Sequence, residues 1–487
     1  MSAPAETAPL PGRWIAMAAL LIAGFMNLID VTIVNVALPS MQSAFGATDS
    51  QIEWVVAVYI LTFALLLLPA GRLGDVYGRR LIFIAGVVVF TIGSTLCGMA
   101  PSMEALIGAR VAQGIGGAMM TPQTLAIVPV LFQPKERGLA FALFGLSAGL
   151  ASVTGPVLGG FLIGLDLWGM DWRPIFLVNV PVGVIAVIAA LRYVPVIPGG
   201  AGLRLDYVGV LLAAMTLLLV LFPLIEGRQL GWPLWAFAMM VAALPALLGF
   251  LAWERRQAAR NKAQLLPVAL MGNGDYMYGS LLTGLIFMGM PGLFLTLALM
   301  FQVGNGLTPL QSGLTTMPFS VGVLIASLMS GRLGIRFPRQ RISVGALMMG
   351  VGMILLRFAV PGPGAALVQS AFILPLIVAG LGLGTAISPL FQTVLANVDG
   401  RDTGSASGAL QSFQQVGGAV GLAIVGEIFF STLRAALPTV ADPAAAYGQA
   451  VLMALLFVPV PFLALSVMVW RLPEPQLGGR QQPVLAE

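Results

Sequence analysis

Fourteen apolar stretches, each long enough to cross a lipid bilayer, run through almost the whole of this 487-residue chain. A helix of about 20 apolar residues covers a hydrocarbon core about 30 Å thick. The stretches are 14–38, 52–71, 81–100, 103–130, 139–165, 175–194, 207–225, 232–253, 276–301, 312–331, 342–360, 369–396, 404–432 and 449–470. No water in the bilayer core satisfies backbone N–H and C=O groups, so only helices or closed barrels span it. These stretches are continuous rather than ten-residue segments of alternating polarity, so they read as helices. The sequence therefore predicts an all-α polytopic membrane protein with fourteen spans. The first stretch is full length and lacks a cleavage pattern, so it reads as a span and not a signal peptide.

Composition narrows the chemistry. Hydrophobic residues make up 58% of the chain and charged residues 9%, against about 25% charged in a soluble domain. There is no histidine, which excludes a His proton relay, a His metal site and a Ser-His hydrolase. The single cysteine, Cys97, forbids an internal disulfide and lies mid-span, where packing is its expected role. No Gly-x-x-x-x-Gly-Lys-[Ser/Thr] loop is present, so an ion gradient rather than a nucleotide must supply any driving force. An intramembrane enzyme needs a nucleophile with a base, or a metal cluster. With Asp30 and Glu427 the only deep acids, neither can be assembled. No cofactor and no metal are expected.

Basic residues give the orientation. An even number of spans puts both termini on one side, and the loops of that side hold nineteen Lys and Arg, against three (Arg173, Arg228 and Arg434) on the other. Basic loops stay cytoplasmic, so both termini are predicted in the cytosol of a cell inner or plasma membrane. The pI near 9.7 follows from this bias and from loops that face lipid headgroups, and implies no nucleic-acid partner.

The chain also repeats itself. Gly71-Arg72-Leu73-Gly74 ends the second span, and Gly331-Arg332-Leu333-Gly334 ends the tenth. Gly155-Pro156-Val157-Leu158-Gly159-Gly160 in the fifth span has a glycine-rich counterpart, Gly417 to Gly421, in the thirteenth. Both pairs are eight spans apart, as two six-helix halves flanking an inserted pair would require. The predicted organisation is a tail over 1–13, a six-helix bundle over 14–194, two inserted helices with their loops over 195–262, a second bundle over 263–470, and a tail over 471–487. Tandem halves of this kind are a transporter architecture, with the substrate site at their interface.

Four motifs fall in order on the first half. Gly71, Leu73, Asp75, Gly78, Arg79 and Arg80 follow the second span, and the first span carries Leu28-Ile29-Asp30-Val31-Thr32-Ile33-Val34-Asn35. The fourth contains Arg110-Val111-Ala112-Gln113-Gly114-Ile115-Gly116-Gly117, and the fifth the Gly155-Pro156 and Gly159-Gly160 core. Together they resemble the major facilitator superfamily, and within it the fourteen-helix drug:proton antiporter family, over roughly 14–470. The chain departs from the first motif at Val76, where a basic residue is usual. The resemblance implies two six-helix bundles plus two inserted helices, and proton-coupled export of hydrophobic, cationic or amphiphilic compounds by alternating access. Its partners would be that small molecule, protons and the bilayer, with the chain a monomer. The alternative it leaves open is a specific exporter of one metabolite, antibiotic or lipid; a channel or sensor would keep the same fold.

Specific side chains are placed against this frame. Asp30 lies eight residues before Leu38, about 12 Å inside the outer end of its span. A charge there costs several kcal/mol, so it either faces a cavity and serves a function or is locked to a neighbouring helix. Arg110, also in the outer half, is its natural partner, since guanidinium stays charged and favours an ionised carboxylate nearby. Glu427 is a second candidate for proton coupling, or snorkels toward the surface. Asp75, with Arg79, Arg80, Gly71 and Gly78, is read as a gate that accepts from arginines or from the N-terminus of a neighbouring helix. Gly155, Pro156, Gly159 and Gly160 are read as a bent, thinned stretch that seals the path in antiporters. Asn27, Asp30, Asn35, Gln414 and Glu427 are the candidate cavity lining.

The charge bias is directly testable. A tag on either terminus should be reached by a membrane-impermeant reagent only after the cell is opened; labelling from outside would break both the span count and the orientation.

Overall fold

The computed structural model describes residues 11–472, apart from 201, 228–229, 334–336, 363–364, 397 and 441. The outer parts of both predicted tails, together with Arg228, Gly334, Arg336 and Arg480 of the charge and repeat patterns, lie outside the described residues. Everything regular in the described chain is helical. In the first half α1 is Arg13–Phe45, α2 Asp49–Tyr77, α3 Arg79–Gly98, α4 Met103–Leu131 and α5 Pro134–Leu165; α6 (Pro174–Leu177) and α7 (Asn179–Tyr193) complete it. The inserted pair is α8, Tyr207–Glu226, and α9, Leu234–Ala259. After the short α10 (Val268–Gly272) come α11 (Gly274–Leu299), α12 (Pro309–Leu333), α13 (Pro338–Ala359), α14 (Ile373–Leu395), α15 (Thr403–Ala436), α16 (Pro443–Phe457) and α17 (Pro459–Met468).

Among the described residues thirteen helical segments are long and apolar enough to cross a membrane. The remaining long helix, α5, has 32 residues and packs along α1. Two predicted single spans are each built from two pieces: α6 and α7 form the sixth, α16 and α17 the fourteenth. The second break falls where Pro459 and Pro461 follow one another, neither able to donate a backbone hydrogen bond. Proline does not interrupt everywhere, since α5 runs unbroken through Gly155-Pro156, where the sequence suggested a break.

The helices sort into two packed groups. α1 lies on α5 and α7, and α4 on α2 and α3; in the second group α11 lies on α15, and α14 on α12 and α13. The groups meet along two seams, α2 with α15 and α5 with α12 and α14. The inserted pair stands outside the first of these, with α8 against both α2 and α15.

At the α2–α15 seam the backbones themselves touch. A Cβ on Gly71 would lie inside contact distance of the Gly404 carbonyl, and one on Gly408 would meet the Leu67 carbonyl at 2.6 Å. Only glycine lets two membrane helices approach this closely. The turn from α2 to α3 passes through Gly78 at φ 102°, a conformation that strains any residue with a Cβ. This end of the molecule, with the α2–α3 and α12–α13 turns, is called the basic face below.

Widening the seam should open it. Spin labels at the exposed Tyr77 and Phe337, one on each turn, should move apart when Gly71→Val is introduced. An unchanged distance would mean that the glycine contact does not hold the seam closed.

Candidate functional site

Asp30 sits in a fully buried polar knot drawn from five helices. Its side chain and that of Arg110 have no exposure, and Arg110 Nη1 donates to Asp30 Oδ2. Gln113, one turn further along α4, donates from Nε2 to Asp30 Oδ1 at 3.0 Å and accepts from Arg110 Nη1 at 2.9 Å. Each oxygen of the carboxylate thus has one donor. Arg110 Nε donates to the Val55 carbonyl at 2.9 Å, and its guanidinium carbon lies 4.2 Å from the centre of the Tyr59 ring, both on α2. An outer layer holds Gln113 in place: Ser94 Oγ on α3 accepts from Gln113 at 2.8 Å and from Asn179 of α7 at 2.8 Å, and Cys97 Sγ donates to Gln113 Oε1 at 3.1 Å.

Buried charges persist when they are paired and their remaining hydrogen-bonding capacity is used. Here the knot is nearly but not wholly satisfied. Arg110 Nη2, the Tyr59 hydroxyl and Asn27 Nδ2 are buried without a hydrogen-bond partner. Asn27 and Tyr59 both flank Gly117, whose lack of a side chain leaves them room. Arg110 Nη2 belongs to the pair itself and the Tyr59 ring lies over it, so unpaired polar atoms remain in the knot with which it can rearrange.

The second polar assembly closes the basic face. Asp75, almost wholly buried near the end of α2, accepts from the Gly404 N–H at 2.8 Å, the Ser405 N–H at 2.7 Å and the Ser405 hydroxyl at 2.8 Å. Those amides belong to the first turn of α15, whose own cap residue, Asp402, makes no side-chain capping bond. A carboxylate from the other half of the molecule therefore caps α15, satisfying orphan N–H groups at the positive end of the helix dipole. Arg79 Nη2 lies 3.2 Å from Asp75 and also donates to the Gly400 carbonyl. Arg72 pairs with Asp402 at 3.3 Å. Arg80 turns away and donates to the Leu191 carbonyl.

Other candidates lie apart from both assemblies. Glu427 is half-buried far along α15, where Oε2 accepts from Trp232 Nε1 at 2.9 Å and Oε1 faces Arg434 at 3.6 Å. It is not brought to Asp30. Asn35 is exposed and donates to the Val31 carbonyl one turn back. Gln414, midway along α15, is half-buried with Nε2 unpartnered. Gly155 and Gly159 admit Thr32 and Ile33 of α1, and Thr32 Oγ1 donates across to the Ala151 carbonyl at 3.2 Å. Gly160 meets open space. Tyr59, Ser94 and Asn179 were not singled out from the sequence, and Gln113 entered only as part of a motif. Each lies inside a membrane span, where a polar side chain is costly, and that is the signal that could have marked them.

The chain is a multi-pass helical protein whose halves meet through a cross-capped seam, and its family and relatives make it a membrane transporter, not an enzyme. The chain belongs to the Major Facilitator Superfamily, whose sequence profile matches residues 20–422. The probable actinorhodin transporter of Streptomyces coelicolor is 39% identical over 426 residues, 87% of this chain and 74% of that one. The puromycin resistance protein pur8 of Streptomyces alboniger is 34% identical, covering 86% and 82%. The multidrug resistance protein Stp of Mycobacterium tuberculosis is 32% identical, covering 85% and 75%. Among solved structures, the human organic anion transporter MFSD10 (TETRAN) superposes with a TM-score of 0.65 over 94% of this chain and all of that one. The proton:xylose symporter XylE gives 0.62 over 95% and 96%. Both are 15% identical and share the fold.

The knot around Asp30 makes a stability prediction. Arg110→Ala leaves a buried carboxylate without its cation, a change that costs about 3–5 kcal/mol in buried pairs. Its melting temperature in detergent should fall well below that of the Asp30→Asn, Arg110→Gln double variant, which leaves no charge unmatched. Equal melting temperatures would mean that the pair carries no such penalty.

Proposed function

We propose that this transporter is a proton-coupled exporter of hydrophobic, cationic or amphiphilic compounds, working by antiport and alternating access. The observation that carries the reading is the fully buried Asp30–Arg110 pair, with unpartnered polar atoms around it. A carboxylate far from water carries a proton only if something alternately matches its charge and leaves it. With Arg110 and Gln113 in contact, each carboxylate oxygen is matched by a donor. When rocking of the halves separates them, the carboxylate takes a proton, and re-formation of the pair expels it. The halves that rock are the bundles over 14–194 and 263–470. The basic face is the cytosolic one, in the cell membrane, so the clasp at Asp75 shuts the cytosolic entrance while the outer side is open.

The names of the relatives support export. The proteins from Streptomyces alboniger and Mycobacterium tuberculosis are called resistance proteins, and a transporter gives resistance by moving the compound out of the cell. The actinorhodin transporter is named for one compound and favours a second reading, in which the cargo of this chain is likewise a single compound. A broad substrate panel separates the two.

The deciding experiment is transport in proteoliposomes with an imposed pH gradient and a panel of lipophilic cations and neutral compounds. Asp30→Asn keeps the size and hydrogen bonding of the side chain but cannot titrate. It should bind cargo and exchange it downhill, while gradient-driven uphill transport drops to the level of leak. Uphill transport with unaltered pH dependence would remove Asp30 as the carrier and make Glu427 the next candidate.

A further inference from the structure

A second buried carboxyl pair lies at the basic face, where the inserted helices meet the clasp. Glu254, near the end of α9, has no exposure. Its Oε1 accepts from the Leu265 N–H at 3.2 Å, and its Oε2 is buried without any hydrogen-bond partner. Asp206, the cap of α8, stands beside it: Asp206 Oδ2 and Glu254 Oε1 each lie 2.7 Å from the point a Cβ on Gly209 would occupy. The two carboxyl groups therefore approach within about 5.4 Å, the most that two such distances allow, and only glycine at 209 leaves them that space. They are held differently. Asp206 accepts from the Val208 N–H at 3.1 Å, the Gly209 N–H at 3.0 Å and Trp253 Nε1 at 2.7 Å.

We propose that Glu254 and Asp206 form a second proton-binding site, filled from the basic face and linked through Arg72 to the opening of the clasp. Three donors hold Asp206, whereas Glu254 keeps one oxygen without a partner and has a second carboxyl group at its side, so Glu254 is the member that holds the proton. A route for that proton exists. Asp206, Trp253 and Gln257 line a cavity of about 900 Å³ that also reaches Arg72, Lys262 and Asp402. Water there reaches Asp206, and the proton passes between it and the neighbouring Glu254, so no other reactant is needed.

The link to the clasp is Arg72. It is buried, spends Nη1 on Asp402 and keeps Nε unpartnered, and it lines the same cavity as Asp206. Arg401 lies beyond it against Asp399 and Asp402, while Arg255 and Arg256 on α9 are exposed. While the clasp is closed, Asp402 occupies Arg72 and Glu254 stays neutral. When α15 withdraws, Asp402 goes with it, the guanidinium turns to the Asp206–Glu254 pair, and Glu254 gives up its proton. Proton binding is then tighter in the closed state, and by linkage acid at the basic face favours closure. The inserted pair thereby senses proton supply at one face and reports it to the seam.

The inference rests on the proposed rocking of the halves but not on Asp30, so it is tested in the Asp30→Asn background, where the first site cannot titrate. The distance between labels at Tyr77 and Phe337 is followed against pH in the full-length protein in nanodiscs. In Asp30→Asn the labels should separate as pH rises. Adding Glu254→Gln should abolish that shift and hold the labels close, whereas Glu254→Asp should keep it. Asp206→Asn, which preserves the helix cap but removes the neighbouring charge, should move the transition to lower pH. A full shift in the presence of Glu254→Gln, no shift in Asp30→Asn alone, or an unmoved midpoint in Asp206→Asn would each overturn the proposal.

Discussion

The absence of water from the bilayer interior is the constraint on which everything else in this molecule depends. It makes each crossing segment a helix, because no other arrangement satisfies the backbone internally. It also makes each buried polar side chain a matter for its neighbours. Asp30 persists because α4 supplies both a cation and an amide, and those in turn are steadied from α2, α3 and α7. A knot of this kind ties five helices of the first half to one another. Whatever disturbs the carboxylate is felt throughout that half.

The contact between the halves obeys a different rule, since under the alternating access proposed above it must hold and also let go. Asp75 engages α15 through three short hydrogen bonds to a charged acceptor, each worth about 1.5–3 kcal/mol net. On separation water reaches these groups at the membrane surface and replaces part of that gain. The glycine contacts along Gly71, Gly404 and Gly408 add close packing but no interlocking side chains. The result is a junction strong enough to populate a closed state and weak enough for a ligand to shift. The placement is economical: the residues that close the seam also complete the first turn of α15, so opening exposes unsatisfied N–H groups and limits how long the open form persists without another partner.

Much of this was legible in the sequence. The crossing helices follow from hydropathy alone, and the turn at Gly78 from the glycines around Asp75. Asp30 and Arg110 could be paired because each is an expensive charge at similar depth in a neighbouring span. What was not legible are contacts that need three dimensions. Nothing in the order of residues says that Asp75 caps a helix more than three hundred positions away, or that Trp232 reaches Glu427. Gln113 stood in a quoted motif, but its bridging role appears only once α1 and α3 are in place. Glu254 escaped notice because it follows a tryptophan at the end of a span, where a glutamate ordinarily faces solvent. The unbroken α5 shows the limit of local rules: Pro156 removes one hydrogen bond, and packing against α1 keeps the helix intact.

The position of the inserted pair breaks the symmetry of the molecule, with a consequence for the apolar cargo proposed above. With two similar halves, both seams would be equivalent doorways from the bilayer. Here α8 lies across the α2–α15 seam, while among the described residues no additional helix packs over α5 and α12. An apolar compound diffusing sideways within the leaflet therefore meets a wall on one flank and a bare helix junction on the other. If the proposed apolar cargo enters from the membrane plane, its entry has a handedness, fixed by two helices that belong to neither half and set before any side chain of a binding pocket comes into play.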